Sequence, residues 1–234
     1  MKMKKATKIL FLSLLLTVNL TVLLHAQGLP SRDLIMATME IVNNYFISNY
    51  PDPGADTVDD GGTVRPSNIW TRATYYEGLM AMYKINPDSR LYDYAVEWGN
   101  HHNWGLRSGT RIRNADDQCC GQAYIELYEY DPQHVRIQDI TTCISNMVNS
   151  SGQDDWWRID AIQMVMPVFA KLGVVHNDTS YFEKLYDLYD FTKRNHGTNG
   201  LYNTTDHLWW RDEDFDPRRA LYRTKWRGLL LVQW

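Results

Sequence analysis

Cysteine is scarce in this chain, and its three copies, Cys119, Cys120 and Cys143, are odd in number and lack metal-ligand spacing. A disulfide framework is not expected, although a Cys120–Cys143 bridge stays open, and the adjacent pair reads as small buried hydrophobes on a helix. A basic excess is missing too. The 24 Lys and Arg stand against 28 Asp and Glu, a net charge of −4, which removes the electrostatic footprint of a nucleic-acid binder. No strand signal competes with helical spacing. Runs long enough to span a membrane are also lacking: the apolar stretch over residues 9–24 is short and contains Asn19. It follows the basic Met1-Lys2-Met3-Lys4-Lys5-Ala6-Thr7-Lys8 and ends at His25-Ala26-Gln27, so residues 1–26 read as a secretory signal peptide cleaved after Ala26. Export to the periplasm or medium is the expectation, with no membrane partner after cleavage. No cysteine near Ala26 suggests a lipoprotein.

Aromatic residues are abundant by contrast, with nine Trp and fifteen Tyr in 234 residues. Most large aromatics fill cores, but a surplus also supplies flat faces for sugars. Apolar residues recur at helical spacing over residues 31–49, 71–85, 89–101, 117–130, 133–149, 160–172 and 178–195. Stops and starts stand at Asn86-Pro87-Asp88-Ser89, Asp131-Pro132 and Leu172-Gly173. Short and long connections alternate, which predicts an all-α run of helical hairpins whose long loops carry Trp70, Asp116, Asp160 and Trp209 to a common end.

The stretch from Gln153 to Pro167, QDDWWRIDAIQMVMP, sets a carboxylate beside tryptophans at the start of an apolar helix. Trp157, Asp160 and Met164 are spaced to share one helical face, where an acid is desolvated unless satisfied and so holds its proton longer. Such an acid suits general acid catalysis near neutral pH, with the indoles as a stacking surface. A helix-capping Asp160 among core tryptophans fits the same spacing. A second acidic junction, Arg113-Asn114-Ala115-Asp116-Asp117-Gln118, again precedes an apolar helix, and Asp116 too could be a cap.

His101, His102, His196 and His207 lie near these motifs and read more readily as structural. Asp52, Asp56, Asp59 and Asp60 lack calcium-loop spacing and read as a solvated surface loop. The tripeptides Asn177-Asp178-Thr179 and Asn203-Thr204-Thr205 match glycosylation acceptors but are common by chance.

Together with Trp70-Thr71-Arg72-Ala73, Tyr76-Glu77-Gly78-Leu79-Met80-Ala81-Met82-Tyr83, Gly200-Leu201-Tyr202 and His207-Leu208-Trp209-Trp210-Arg211-Asp212, these motifs resemble glycoside hydrolase families 88 and 105. Those are the unsaturated glucuronyl and rhamnogalacturonyl hydrolases, and the likeness runs from about residue 36 to 217 in family order. It implies an (α/α)6 barrel, monomeric when complete, with the active site at its mouth and no cofactor or metal. Its substrates are lyase-generated pectin oligosaccharides, hydrated at the C4=C5 double bond of a terminal uronic acid. Carried over residue by residue, Asp160 is the general acid and base, and Asp116 or Asp117 the second carboxylate. Trp70, Arg72, Trp156, Trp157, Gln163, His207, Trp209, Trp210 and Arg211 are the substrate contacts so implied.

The chain departs from the family after residue 217. Read from the second base of the Ala220 codon, degenerate codons permit a sequence resembling the family's continuation, so residues 218–234 read as a frameshifted tail behind a hydrolase domain over 27–217. The helices that would close the ring, and the family's Ser-Arg-Gly-Asn-Gly-Trp loop, are absent from the sequence. Three readings follow: an active hydrolase with an incomplete barrel, an inactive remnant, and a sugar-binding module that keeps the aromatic surface.

Overall fold

A computed structural model describes residues 29–197 and 199–216, so the expected signal peptide over 1–26 and the expected frameshifted tail over 218–234 lie outside the described residues. The chain divides into two units, one through Phe46 and one from Ile47. The first helix, α1 (Arg32–Asn49), opens at Ser31, whose hydroxyl receives the Leu34 N–H at 3.2 Å.

The second unit is built from helical hairpins. Its helices are α2 (Trp70–Ile85), α3 (Ser89–His101), the short α4 (Ala115–Gln118), α5 (Gly121–Tyr130), α6 (Val135–Val148), α7 (Asp160–His176) and α8 (Ser180–Arg194). Each of α2, α5 and α7 packs on the helix that follows it, giving the hairpins α2–α3, α5–α6 and α7–α8. Helix α5 also packs between α2 and α7, and α6 against α8. The result is two layers, with α2, α5 and α7 side by side in one and their return helices in the other. Because α3 and α6 each return the chain between them, α2, α5 and α7 all start at the same end. That end carries Trp70, Asp116 and Asp160.

The core lies between the layers. Trp98 of α3 stacks on Tyr76 of α2 with ring centroids 3.8 Å apart, and its indole N–H reaches the Ser67 carbonyl at 3.2 Å. Ile125, Ile140, Ile144, Val168 and Phe169 fill the space between α5, α6 and α7.

The helix expected over 117–130 tightens midway. Cys119 and Cys120 keep right-handed helical angles, but the Gln122 N–H bonds the Cys119 carbonyl at 3.2 Å, an i→i+3 turn between α4 and α5. Gly121 sits at that turn, and a Cβ there would lie 2.5 Å from Ile140 Cγ1 and 3.2 Å from Val168 Cγ1. Both neighbours are buried, so Gly121→Ala should cost about 1–3 kcal/mol, outweighing the better helix propensity of alanine. Chemical denaturation checks it: an Ala variant as stable as the parent would show that α5 and α6 have room to separate.

Three expectations need correction. Gly173 does not stop a helix; α7 runs on to His176 and ends at Asn177, which adopts the left-handed conformation. Gly173 instead lets α8 approach, since a Cβ would lie 2.7 Å from the Phe182 ring. Two-residue strands do form, Thr57–Val58 with Val64–Arg65 (β1, β2) and Tyr202–Asn203 with Leu208–Trp209 (β3, β4), too short to leave a periodic signal. The acidic loop is more than solvated surface: Asp59 accepts the Thr63 N–H at 2.9 Å and Arg65 Nε at 3.0 Å, organising the β1–β2 turn. Pro53 and Gly54 are buried within it, and the Pro53 carbonyl accepts Arg72 and the Tyr76 hydroxyl. The cysteines are as expected: all three are free and buried, and no Cys120–Cys143 bridge forms.

Candidate active site

The loop leading into α7 carries Trp156, Trp157, Arg158 and Asp160, and it is fastened from several sides. Arg113 grips the Asp155 carboxylate with two nitrogens, at 2.6 and 2.5 Å, and reaches the Ser150 hydroxyl at 3.0 Å. Lys184 donates to the Ser150 and Gly152 carbonyls, and burial lowers its pKa. Thr192 donates to the Trp156 carbonyl at 2.9 Å, and His196 pairs with Asp154. The far strand of the β3–β4 hairpin continues into this loop: the Ile159 N–H meets the Arg211 carbonyl at 2.9 Å, and the backbones of Arg158 and Asp212 form an antiparallel β-bridge. Two distant motifs, around Trp157 and around Trp209, thus form one wall.

The opposite junction presents Asp116 and Asp117, and their environments separate them. Asp117 is 0% exposed and held by Arg107, Nε to Oδ1 at 2.7 Å and Nη2 to Oδ2 at 3.0 Å. Its oxygens are occupied by the framework. Asp116 is half-buried, and its proton affinity is raised, first by burial and then by the negative charge of Asp160, with Arg158 opposing. Asp116 and Asp160 therefore lie within electrostatic reach of one another, with Arg158 beside them. Neither acid is a cap. Asn114 caps α4, accepting the Asp116 N–H at 3.0 Å, while Ile159 occupies the cap position of α7 and Asp160 is the first helical residue.

The desolvation expected at Asp160 is not found there, because Asp160 is exposed. It is found at Asp116. Met164, expected on the same face, is buried one turn below.

The tryptophans also divide. Trp156 is 0% exposed and meets Phe169 edge-on at 5.9 Å, so it is core rather than a sugar surface. Trp157 is 41% exposed, with the Arg158 guanidinium 4.0 Å from its ring centroid, and Trp70 is 43% exposed. Trp209 packs against Tyr202 and Tyr189 at 5.2 and 5.8 Å, and Trp210 is half-buried. Arg211 is engaged by Asp212 at 2.7 Å, and His207 is exposed at the hairpin turn, 3.2 Å from the Tyr202 hydroxyl. Arg72 is buried against the Pro53 carbonyl and the Tyr50 ring, and so belongs to the framework rather than to a substrate surface. Gln163 faces inward and donates to Glu77 at 2.7 Å.

Two residues that the motifs did not single out are placed here. Arg158 makes no ion pair among the described residues and its Nε is buried without a partner. Its signal was a cation between an indole and an acid. Glu77, on α2, was legible only as a carboxylate in an apolar helical run.

The histidines mostly serve the framework. His102 Nε2 lies 2.6 Å from the buried Ser67 hydroxyl, and burial lowers its pKa to about 4. Among the described residues, no three His, Cys, Asp or Glu side chains gather closely enough to hold a metal ion. None of the described helices is long and apolar enough to cross a membrane.

A family model described as Glycosyl Hydrolase Family 88 matches residues 38–225, most of the chain and both acidic junctions. The chain belongs to glycosyl hydrolase family 88. It is similar in fold to a family 88 glycosyl hydrolase from Bacteroides vulgatus, at 21% identity and a TM-score of 0.69, covering 79% of this chain and 52% of that one. A polysaccharide lyase is similar too, at 23% identity and a TM-score of 0.65, covering 77% of this chain and 50% of the other. The chain thus spans about half the length of these solved structures. No curated protein matches it. Membership makes this a chain of a carbohydrate-active, glycosidase family, and the described residues show three hairpins consistent with the family's all-α toroidal architecture.

Proposed function

We propose that the chain is an exported glycosidase that removes a 4,5-unsaturated uronic acid from the non-reducing end of pectin-derived oligosaccharides. The observation that carries this reading is the pairing of Asp116 with Asp160 at the common start of α4 and α7, beside the exposed Trp157. Asp160 delivers a proton to C4 of the vinyl ether while water adds to C5 and gives up its proton to a carboxylate. The product is a hemiketal, which opens and releases the rest of the sugar chain. One water is consumed, and no covalent enzyme intermediate forms.

Asp116 is the second carboxylate. Burial and the Asp160 charge raise its proton affinity, which favours taking up a proton from the attacking water, whereas Asp117 is committed to Arg107. Arg158, a cation unpaired by either neighbouring acid, offers the substrate carboxylate a partner.

A sugar-binding module is the second reading, favoured by the exposed faces of Trp70 and Trp157. Incubation with an unsaturated digalacturonide or rhamnogalacturonan disaccharide separates them. Loss of vinyl-ether absorbance supports the hydrolase; binding without that loss supports the module and overturns the proposal.

A further inference from the structure

Beneath the two acids lies a partly buried polar cluster that the proposed chemistry leaves unused. Glu77 of α2 accepts three side-chain hydrogen bonds: from Cys119 Sγ at 3.1 Å and Gln122 Nε2 at 3.0 Å on one oxygen, and from Gln163 Nε2 at 2.7 Å on the other. Cys119 lies three residues after Asp116, and Gln163 three after Asp160. A residue three positions along a helix sits one turn below, on the same face. One carboxylate on a third helix therefore ties the turn under each acid to a single point. Gln122 closes the cluster by also donating to the Gln163 and Met164 carbonyls at 2.9 and 3.0 Å, joining α5 to α7 directly.

We propose that Glu77 is a positioning residue that fixes the separation of Asp116 and Asp160, and so the geometry in which the two share a proton and a water. This rests on the reading of those acids as the reacting pair. A carboxylate suits the task better than an apolar side chain, because it can accept from both elements at once and its bonds are directional. Burial raises the proton affinity of Glu77, while its bonds from Cys119 and Gln163, and then the charge of Lys171, oppose that rise; Lys171 is itself paired with Glu126. The charged groups around Asp116 are Asp160, Arg158, Asp117 and Arg107. Loosening the tether changes the distances to Asp160 and to Arg158, which share one loop, and the Asp160 charge is the stronger influence of the two on Asp116.

The test compares Glu77→Ala, Glu77→Gln and Cys119→Ala in the full chain, reading the Asp116 carboxyl titration by carbon NMR and turnover of the unsaturated disaccharide. Separating the acids weakens the repulsion that raises Asp116, so Glu77→Ala should move its titration to lower pH and cut kcat by about 10- to 100-fold with little change in KM, the scale expected for misplacement near 1 Å. Glu77→Gln keeps an acceptor, and its new amide can pair with a flipped Gln163, so it should recover most of both. Cys119→Ala, which cuts only the Asp116 arm, should move the titration in the same direction by less, and serves if Glu77→Ala fails to fold. A loss of thermal stability with the Asp116 titration and kcat unmoved would reduce Glu77 to a structural role. If the parent itself lacks turnover, the hydrolase reading fails, and the titration still decides whether Glu77 spaces the acids.

Discussion

Asp160→Asn should lower turnover of an unsaturated uronide by about 10²–10⁴-fold, the loss typical of removing one general acid, while leaving the protein folded. The pairing with Asp116 makes the stability outcome informative. Burial and the Asp160 charge hold the Asp116 pKa above its ordinary 3.8, so the folded state binds more protons there than the unfolded state. Stability then falls as pH rises from the unfolded value through the folded one, and stays lower at neutral pH. Removing the Asp160 charge relieves part of that penalty. Against this stands the loss of an acid in the first turn of α7, where it favours the helix dipole by about 0.3–1 kcal/mol. The two effects oppose, and the net change at pH 7 should stay within about 1 kcal/mol, with Asp116 titrating at lower pH than in the parent. Activity within a few-fold of wild type, measured by vinyl-ether absorbance, would remove Asp160 from its assigned role.

What the sequence made legible here is the periodic part. Helices α3, α6 and α8 fall within two residues of their expected bounds, because each has an apolar stripe and a turn or proline at its start. The common end of Trp70, Asp116 and Asp160 followed from alternating connection lengths alone. Side-chain burial was less legible, because neighbours in sequence diverge in environment. Asp116 and Asp117 are chemically identical and adjacent; only the arrival of Arg107 from the preceding loop commits one of them. Desolvation was assigned to Asp160 from helical phase, but a first-turn residue at the open end of α7 stays wet, while Asp116 is partly covered. Gly173 shows the same limit. A glycine late in a helical pattern signals termination or close packing with equal force, and here the Phe182 ring decides. Glu77 escaped notice because its partners lie 42, 45 and 86 residues away.

The two indoles beside the site give the sharpest contrast, since adjacent tryptophans should fail in different ways. Trp156 is wholly enclosed, with its carbonyl held by Thr192 and its ring against Phe169. Truncating it leaves a large cavity under α7, and Trp156→Ala should cost about 3–5 kcal/mol of stability, enough to consume much of what a domain of this kind has. Activity would fall with the folded fraction, and low temperature or stabilising osmolyte should recover part of it. Trp157, nearly half exposed, has little packing to lose. If a sugar ring stacks on it, Trp157→Ala should raise KM by about 2- to 10-fold, matching the roughly 0.5–1.5 kcal/mol of an aromatic contact, with the thermal midpoint and kcat close to the parent's. The Arg158 guanidinium rests on that same ring, so part of the KM effect reflects a less ordered cation. Trp157→Phe, which keeps a flat face for both, should restore most of the affinity. Equal stability losses at the two positions, or an unchanged KM for Trp157→Ala, would show that neither indole meets the substrate and that the wall they form serves only to hold Asp160 in place.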